Sequence, residues 1–439
     1  VIEPRYDAAE LFSEGLAAVG KATGFGFINP NGAEVIPLQY AVVEPMTGGV
    51  SIVYRNNHGV LFAGMIDRTG REVIPAIYQT ITRLSNTLFA VITTQGLWGL
   101  ADNTGKLLTP LQYLLTPYDD PQEEFTPELS EQRVVVAIKK NPSNPSERAR
   151  WGAVDERGKE QVPLKFDALH SFFGGRAAAK RSVGNQQRTM PAEAVQDGKW
   201  GFIDPHGKVV VPFQYNAVGD FIEGRAAVQR KHSSTAPRST SGQEDSGLWG
   251  FIDANGKEIV PCKYDLVGAF SEGLAIVQRS GQYGFINGVG KEVIPVQYLS
   301  CRSFQNGFAA VFKRGGASTL LAGMIDKKGV ERIPLVYSDV GIMSNGYVPV
   351  VKNGKWGFAD STGKETLAPR FDNVSLIYPD GLAVAYSGAW GGVITPSGTR
   401  IFPFMYSSLV PVRAGLWKVG LPNGKQGYKD IRGREFWEQ

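Results

Sequence analysis

The sequence predicts an all-β protein assembled as a tandem array of roughly eleven short, three-stranded antiparallel units. Three segments predict it by recurring in fixed order along nearly all of the 439 residues. They are a Phe-x-x-Gly-x-Ala segment, a Trp-Gly-Phe-Ile-Asp segment and a Val-Ile-Pro-x-x-Tyr segment. Each is apolar but too brief for a helix that holds on its own. The 53 glycines and 26 prolines punctuate the chain too often for long helices, yet 42 % of residues are hydrophobic, enough for a real core.

The first segment, Phe12 to Val19, returns as Phe270 to Val277 and more loosely as Phe221 to Val228, Phe304 to Val311 and Tyr378 to Ala385. Its small and branched residues read as a strand.

The second segment is Lys199-Trp200-Gly201-Phe202-Ile203-Asp204, matched at Leu248 to Asp253 and Lys355 to Asp360, and with a Phe or Tyr for Trp at Phe25 to Asn29 and Tyr283 to Asn287. Alternation puts Trp200 and Phe202 on one face. The glycine between them marks a bulge or the close approach of another group, for which an aromatic ring of the neighbouring unit is the expected candidate. The central glycines index the units at Gly26, Gly64, Gly99, Gly152, Gly201, Gly250, Gly284, Gly323, Gly357, Gly391 and Gly427.

The third segment, Glu34 to Tyr40, recurs at Glu72 to Tyr78, Val209 to Tyr215, Glu258 to Tyr264, Glu292 to Tyr298 and Ile401 to Tyr406. Its proline has no N–H, so it belongs at an edge or a bulge. The tyrosine is expected to pack on the next unit, its hydroxyl reaching a backbone group. Between the second and third segments, Asp204-Pro205-His206-Gly207 and Asp253-Ala254-Asn255-Gly256 have the form of a hairpin turn. The recurring aspartate therefore reads as a turn cap and not as an acid/base catalyst.

The run Trp-Gly-Phe-Ile-Asp-x-x-Gly-Lys followed by Val-Ile-Pro-x-x-Tyr resembles the WG repeat, a module found chiefly in bacterial proteins. The resemblance covers nearly the whole chain; Ala63, Ala322, Tyr283 and Gln426 depart from it at the Trp position, and Gln161-Val162-Pro163 is less apolar than its equivalents. It implies an all-β repeat array with few assigned functions. Three strands cannot bury their apolar face alone, so units stack. A solenoid or superhelix is the first expectation, because eleven units exceed the blade number of a usual propeller. A propeller-like array is the alternative, favoured by Val1 to Tyr6, which resembles a third segment cut from its unit. The last unit has its own third strand around Arg434, Glu435 and Phe436.

The chain divides into repeats one to three with a leading partial repeat (1–113), an acidic insertion (114–133), repeats four to six with long loops (134–265) and repeats seven to eleven (266–439). The insertion carries Asp119, Asp120, Glu123, Glu124, Glu128 and Glu131. A short helix after Pro121 is one reading of it; the tight glycine turn of a calcium loop is missing, and a solvated excursion is the expectation.

Repeats four to six are lengthened at about 141–149, 182–198 and 232–246, the same place in each, between the first and second strands. The loop margins carry Lys139, Lys140, Arg148 and Arg150, then Lys180, Arg181 and Arg188, then Arg230, Lys231 and Arg238. They form a candidate basic ridge for an acidic protein or an anionic surface polymer, against the plainer reading of ordinary solvated loops. A net charge of +4 is too small a footprint for nucleic-acid binding.

No apolar run approaches the roughly 18 residues of a membrane-spanning helix, and no transmembrane segment is expected. Nucleophile-elbow, dinucleotide-binding and phosphate-loop motifs are absent, and His58, His170, His206 and His232 have no metal-ligand spacing. No metal, cofactor or catalysis is expected.

Trp98, Trp151, Trp200, Trp249, Trp356 and Trp390 share one register and are expected as a buried ladder. Trp417 and Trp437 lie off it. Cys262 and Cys301 fall on adjoining units and are candidates for one disulfide, with two buried free thiols the alternative. The functional expectation is a non-catalytic scaffold, exported to the periplasm or cell surface. Its rival is a carbohydrate-binding or carbohydrate-active protein with facing carboxylates in an aromatic groove.

Overall fold

In the computed structural model, the described residues are 5–116, 125–141, 147–182, 198–231, 247–316 and 319–437. All regular structure among them is β, in eleven four-stranded antiparallel sheets. The chain falls into two compact units, Val1–Phe221 and Ile222–Gln439. Unit 1 holds the first five sheets and the opening strand Ala217–Val218; unit 2 begins with the strand Arg225–Arg230 and holds the remaining strands.

Within a sheet the strands follow one another in chain order. The fifth sheet serves as type: Ala168–Leu169, Ala177–Ser182, Gly198–Ile203 and Val209–Tyr215. Four strands, not three, correct the expected unit, and with it the solenoid. A four-stranded meander has the topology of a propeller blade, the alternative expectation. The extra strand comes first and is only two residues long in many sheets (Ala8–Ala9, Val42–Val43, Asn373–Val374); Val42 and Asn373 stand two places after Tyr40 and Phe371, the aromatic residues that end the preceding sheets. Two residues are too few to show a period. The insertions accordingly join the second and third strands. The expected partial repeat at the N-terminus and the helix after Pro121 fall mostly outside the described residues, as does much of the acidic insertion, whereas the strand expected at the C-terminus is present as Glu435–Trp437.

The proline of the fourth strand sits in a bulge. Trp200 pairs with Tyr215 and Phe202 with Val211, so Pro212, Phe213 and Gln214 stand opposite Gly201 alone. The same shift recurs in the first, second, fourth and sixth to tenth sheets. A Cβ on Gly201 would lie 2.5 Å from the carbonyl oxygen of Val211. The group pressing on the glycine is therefore the bulged backbone of its own sheet, not an aromatic of the next one.

The core lies in layers between consecutive sheets. One layer joins Phe251, Val260 and Tyr264 of the sixth sheet to Phe270, Ala275, Val277 and Ile286 of the seventh; another joins Phe285, Ile294 and Tyr298 to Phe304, Ala309 and Val311. Edge-to-face pairs repeat across the layers: Phe202 on Phe221 at 4.7 Å, Phe251 on Phe270 and Phe285 on Phe304, both at 4.9 Å. The tyrosine hydroxyl reaches a side chain and not the expected backbone group. Tyr264 donates to Glu292 (2.9 Å) and Tyr337 to Glu365 (3.0 Å), each acceptor opening the next sheet's fourth strand. Burial first, then the carboxylate, pushes the Tyr264 hydroxyl up to about 12.

The expected tryptophan ladder is only partly present. Trp98 and Trp151 are buried, Trp200, Trp249 and Trp356 half-buried, and Trp390 is 43 % exposed. Trp98 and Trp151 are covered by Phe125, whose ring lies 6.2 Å and 5.4 Å from theirs. Burial passes to the residue two places on, Phe27, Phe202, Phe251, Phe285 and Phe358, each no more than 1 % exposed. Trp417, off the register, is wholly buried, and its Nε1 has no hydrogen-bond partner among the described residues.

Neighbouring sheets are also tied through the turn joining first and second strands. Glu14 accepts from the N–H groups of Gly48 and Gly49 (2.7 and 2.9 Å), Glu131 from Gly175 and Glu272 from Gly307 (2.9 Å). Asn306 and Asn345 instead donate to the carbonyls of Met343 and Tyr378 (both 2.8 Å). In the Glu-Gly pairs Glu14 and Glu272 hold a positive φ beside a positive-φ glycine, which aims the carboxylate at the next turn.

The recurring aspartate caps its turn as expected. Asp204 Oδ1 accepts from the N–H groups of His206 (2.9 Å) and Lys208 (3.0 Å), and Gly207 closes the turn at φ 79°. Burial works against ionisation here, but the two amide donors and nearby positive charge outweigh it and hold Asp204 below the usual carboxylate range. The same holds at Asp155, with a further bond from Gln161. A depressed folded pKa gives stability that is present above the unfolded value of about 3.9 and lost as pH falls through the folded one. Asn29 and Asn287 make the same bonds without a charge. Asp204→Asn is therefore expected to fold, to lower the urea midpoint at pH 7, and to lose that deficit as pH falls through the lowered Asp204 pKa; a deficit unchanged with pH would contradict the assignment.

Candidate binding surface

The long loops leave the fourth and fifth sheets at the end where second and third strands meet. Lys139 and Lys140 follow the strand Arg133–Ile138, and Arg150 opens the strand Arg150–Asp155. Glu147 folds back to accept from the N–H groups of Lys140 (3.0 Å) and Asn141 (2.9 Å), fixing both ends of this loop. Arg150 pairs with Asp167, which also accepts from the N–H and hydroxyl of Ser182. That arginine is committed to structure.

Lys180 stands directly across from Trp200, its Nζ 5.9 Å from the indole centroid. Gly198 leaves room for its chain, since a Cβ there would lie 2.7 Å from Lys180 Cε. Burial lowers the Lys180 pKa most; Asp167 opposes this and Arg148 adds to it. On the indole's other contact, the His170 ring lies edge-on at 4.8 Å with its Nδ1 3.2 Å from Asp220 Oδ1.

Next along the hairpin, Arg181 pairs directly with Lys199. Like charges face to face on adjacent strands are unfavourable. The structure thus sets Lys180, with Arg148 acting on it, on the face of the half-buried indole, and Arg181 and Lys199 one pair along on the opposite face of the same hairpin, with Arg150 already paired. Lys199 lay outside the sequence-level set because its opposition to Arg181 depends on a register set across a long loop. Lys139 and Lys140 sit at the adjoining hairpin. In unit 2, Arg230 lies 3.8 Å from Glu258, and Lys231 follows it at the strand end. Arg188 and Arg238 lie outside the described residues.

The cysteines do not bridge. Both are free thiols: Cys262 is in the bulge of the sixth sheet with its Sγ 3.6 Å from the Val228 carbonyl, and Cys301 ends the opening strand of the eighth. The whole seventh sheet separates them in chain order, whereas the bridge requires adjacent units. Burial pushes the Cys301 thiol up to about 12, an unreactive state.

Among the described residues no helix is long and apolar enough to cross a membrane, and no three or more His, Cys, Asp or Glu side chains are grouped to hold a metal ion.

Three solved structures similar to the chain are a eukaryotic initiation factor (9 % identity, TM-score 0.37, 75 % of this chain and 88 % of that one), the extracellular domain of a protein described as a hybrid two-component system from B. thetaiotaomicron (9 %, 0.23, 100 % and 65 %) and PorZ, a surface component of the type-IX secretion system of Porphyromonas gingivalis (11 %, 0.22, 99 % and 73 %). TM-scores this low carry nothing about shape or function. No curated protein matches the chain. The family model of the WG containing repeat matches residues 1–21, 25–57, 64–92, 151–181, 200–231, 249–283, 283–316, 323–356 and 356–386. With its Trp-Gly strands, bulged prolines and capped turns repeated from sheet to sheet, the chain belongs to the WG containing repeat family.

Proposed function

We propose that the chain is a non-catalytic binding scaffold that uses the loop end of its fourth and fifth sheets to hold an anionic group of a partner, either an acidic protein or an anionic polymer. The carrying observation is the direct opposition of Arg181 and Lys199 at the loop end of this hairpin. A bound carboxylate or phosphate relieves the repulsion that the free protein bears. Export to the cell envelope belongs to the same reading; fractionation of native cells tests it.

The pairing makes stability and binding move in opposite directions. Arg181→Glu replaces a like-charge pair with an opposite-charge one, worth about 0.2–1 kcal/mol in a sheet, so the variant is expected to unfold at higher urea. It is also expected to bind poly-glutamate and polyphosphate at least tenfold more weakly at low salt, with a shallower salt dependence. Titration calorimetry on the full chain reads the affinity. Wild-type failure to bind either polyanion, or unchanged binding by the variant, removes this reading.

A further inference from the structure

A separate feature lies in unit 2, between the third and fourth strands of the tenth sheet (Trp390–Ile394, Arg400–Tyr406) and the turn before the strand Gln426–Asp430 of the eleventh. A cleft of about 440 Å³ is lined there by Trp390, Phe404, Met405, Leu421, Pro422 and Asn423. This is within the size range of ligand sites, and none of the six side chains carries a charge.

Departures from the repeat build the cleft. In the fifth sheet Trp200 pairs with Tyr215, but in the tenth the residue paired with Tyr406 is Gly391. The tight glycine of this sheet is Gly392, opposite Ala385 as Gly201 is opposite Ala179. Trp390 has slipped one place, and a one-place slip turns a side chain to the other face. Met405 is 45 % exposed at the position that carries Gln214, Lys263 and Gln297 in other sheets. The eleventh sheet adds a wall: its turn runs Leu421-Pro422-Asn423-Gly424, closed by the Leu421 N–H on the Lys425 carbonyl at 2.7 Å. Phe404 is held by stacking on Phe371, with centroids 5.3 Å apart and planes 15° apart.

We propose that this cleft binds a proline-bearing extended segment of a partner protein. Indole, phenyl, thioether and pyrrolidine surfaces match the apolar ridge of a polyproline II helix, whose ordering cost is already low. Such a helix leaves its carbonyls without internal donors. Asn423 accepts from the Lys425 N–H through Oδ1 (3.1 Å), and its Nδ2 is the donor we assign to one of them. A sugar would stack on Trp390 too, but its ring of hydroxyls needs several polar partners, and the side chains of this lining offer only the Asn423 amide and the Trp390 indole N–H.

Decaproline titrated into the full chain, followed by tryptophan fluorescence and by calorimetry, is expected to bind saturably at one site. Trp390→Ala should weaken it at least tenfold. Because that indole is 43 % exposed, the variant should keep its unfolding temperature. Met405→Gln, which restores the residue found at Gln214, should weaken it about threefold and serves if the tryptophan variant misfolds. Arg181→Glu should leave decaproline binding unchanged, which separates this site from the anionic one. No saturable response to decaproline, equal binding by both cleft variants, or a response to cellohexaose in its place overturns the proposal.

Discussion

Phe285→Ala is expected to cost about 3–5 kcal/mol, the range for emptying a large aromatic site that cannot collapse. Phe285 is wholly buried and packs with Leu274, Ile294, Tyr298, Phe304, Ala309, Val311 and Ile325, residues drawn from two consecutive sheets. Truncation removes contacts on both sides of the layer. The strands carrying those residues are also fixed by their ladders, so neither sheet can close over the void. The edge-to-face contact with Phe304 adds a separable part, about 0.5–1.5 kcal/mol, which a double-mutant cycle with Phe304→Ala isolates. Urea unfolding of the full chain followed by fluorescence measures both quantities. Because each sheet leans on the next, the lost stability is expected to split the unfolding of this region from that of distant sheets. A loss below about 1 kcal/mol would mean that the layers do not supply the stability.

How far the sequence determines this architecture can be followed residue by residue. Alternation placed Trp200 and Phe202 on one face, and they are. The missing N–H of Pro212 called for an edge or a bulge, and it lies in a bulge. Asp204 and Gly207 called for a capped turn with positive φ, and both conditions hold. These are local demands that one peptide unit imposes wherever it stands. Ala168–Leu169 was not legible, because a two-residue strand is defined by its partner Ala179–Lys180 and not by a pattern of its own. The slip of Trp390 was hidden by the doubled glycine, Gly391-Gly392. One signal does resolve it: the tight glycine precedes the turn residue by three places in Gly201 to Asp204, and counting back from Thr395 reaches Gly392. At the binding surface, Lys180 and Arg181 were legible as loop margins. Their partners were not, since Trp200 and Lys199 lie across a connection whose length says nothing about register.

Gly250→Ala tests the other half of the architecture, the bulge that lets a proline sit inside a sheet. A Cβ at Gly250 would lie 2.3 Å from the carbonyl oxygen of Val260, 2.8 Å from the N of Cys262 and 2.8 Å from the carbonyl carbon of Pro261. All three are backbone atoms, so no side-chain rotation relieves the overlap. The fourth strand must move away, and it is held on both flanks, by Phe251 opposite Val260 and by Trp249 opposite Tyr264. Tyr264 is wholly buried and bonded through its hydroxyl to Glu292 of the next sheet. Displacement therefore spreads into the neighbouring layer, and the expected loss is about 3 kcal/mol, at the upper end for overpacking. Gly224 supplies the comparison: its φ is +74°, and a Cβ there meets nothing within 4 Å. Alanine at Gly224 should cost only the conformational penalty of about 1–2 kcal/mol. Alanine at Gly250, where no positive φ exists to strain, should cost more through contact alone. Equal losses at the two sites, or a milder effect at Gly250, would show that the bulge yields, and that the glycine of the Trp-Gly pair is retained for some reason other than the backbone that presses on it.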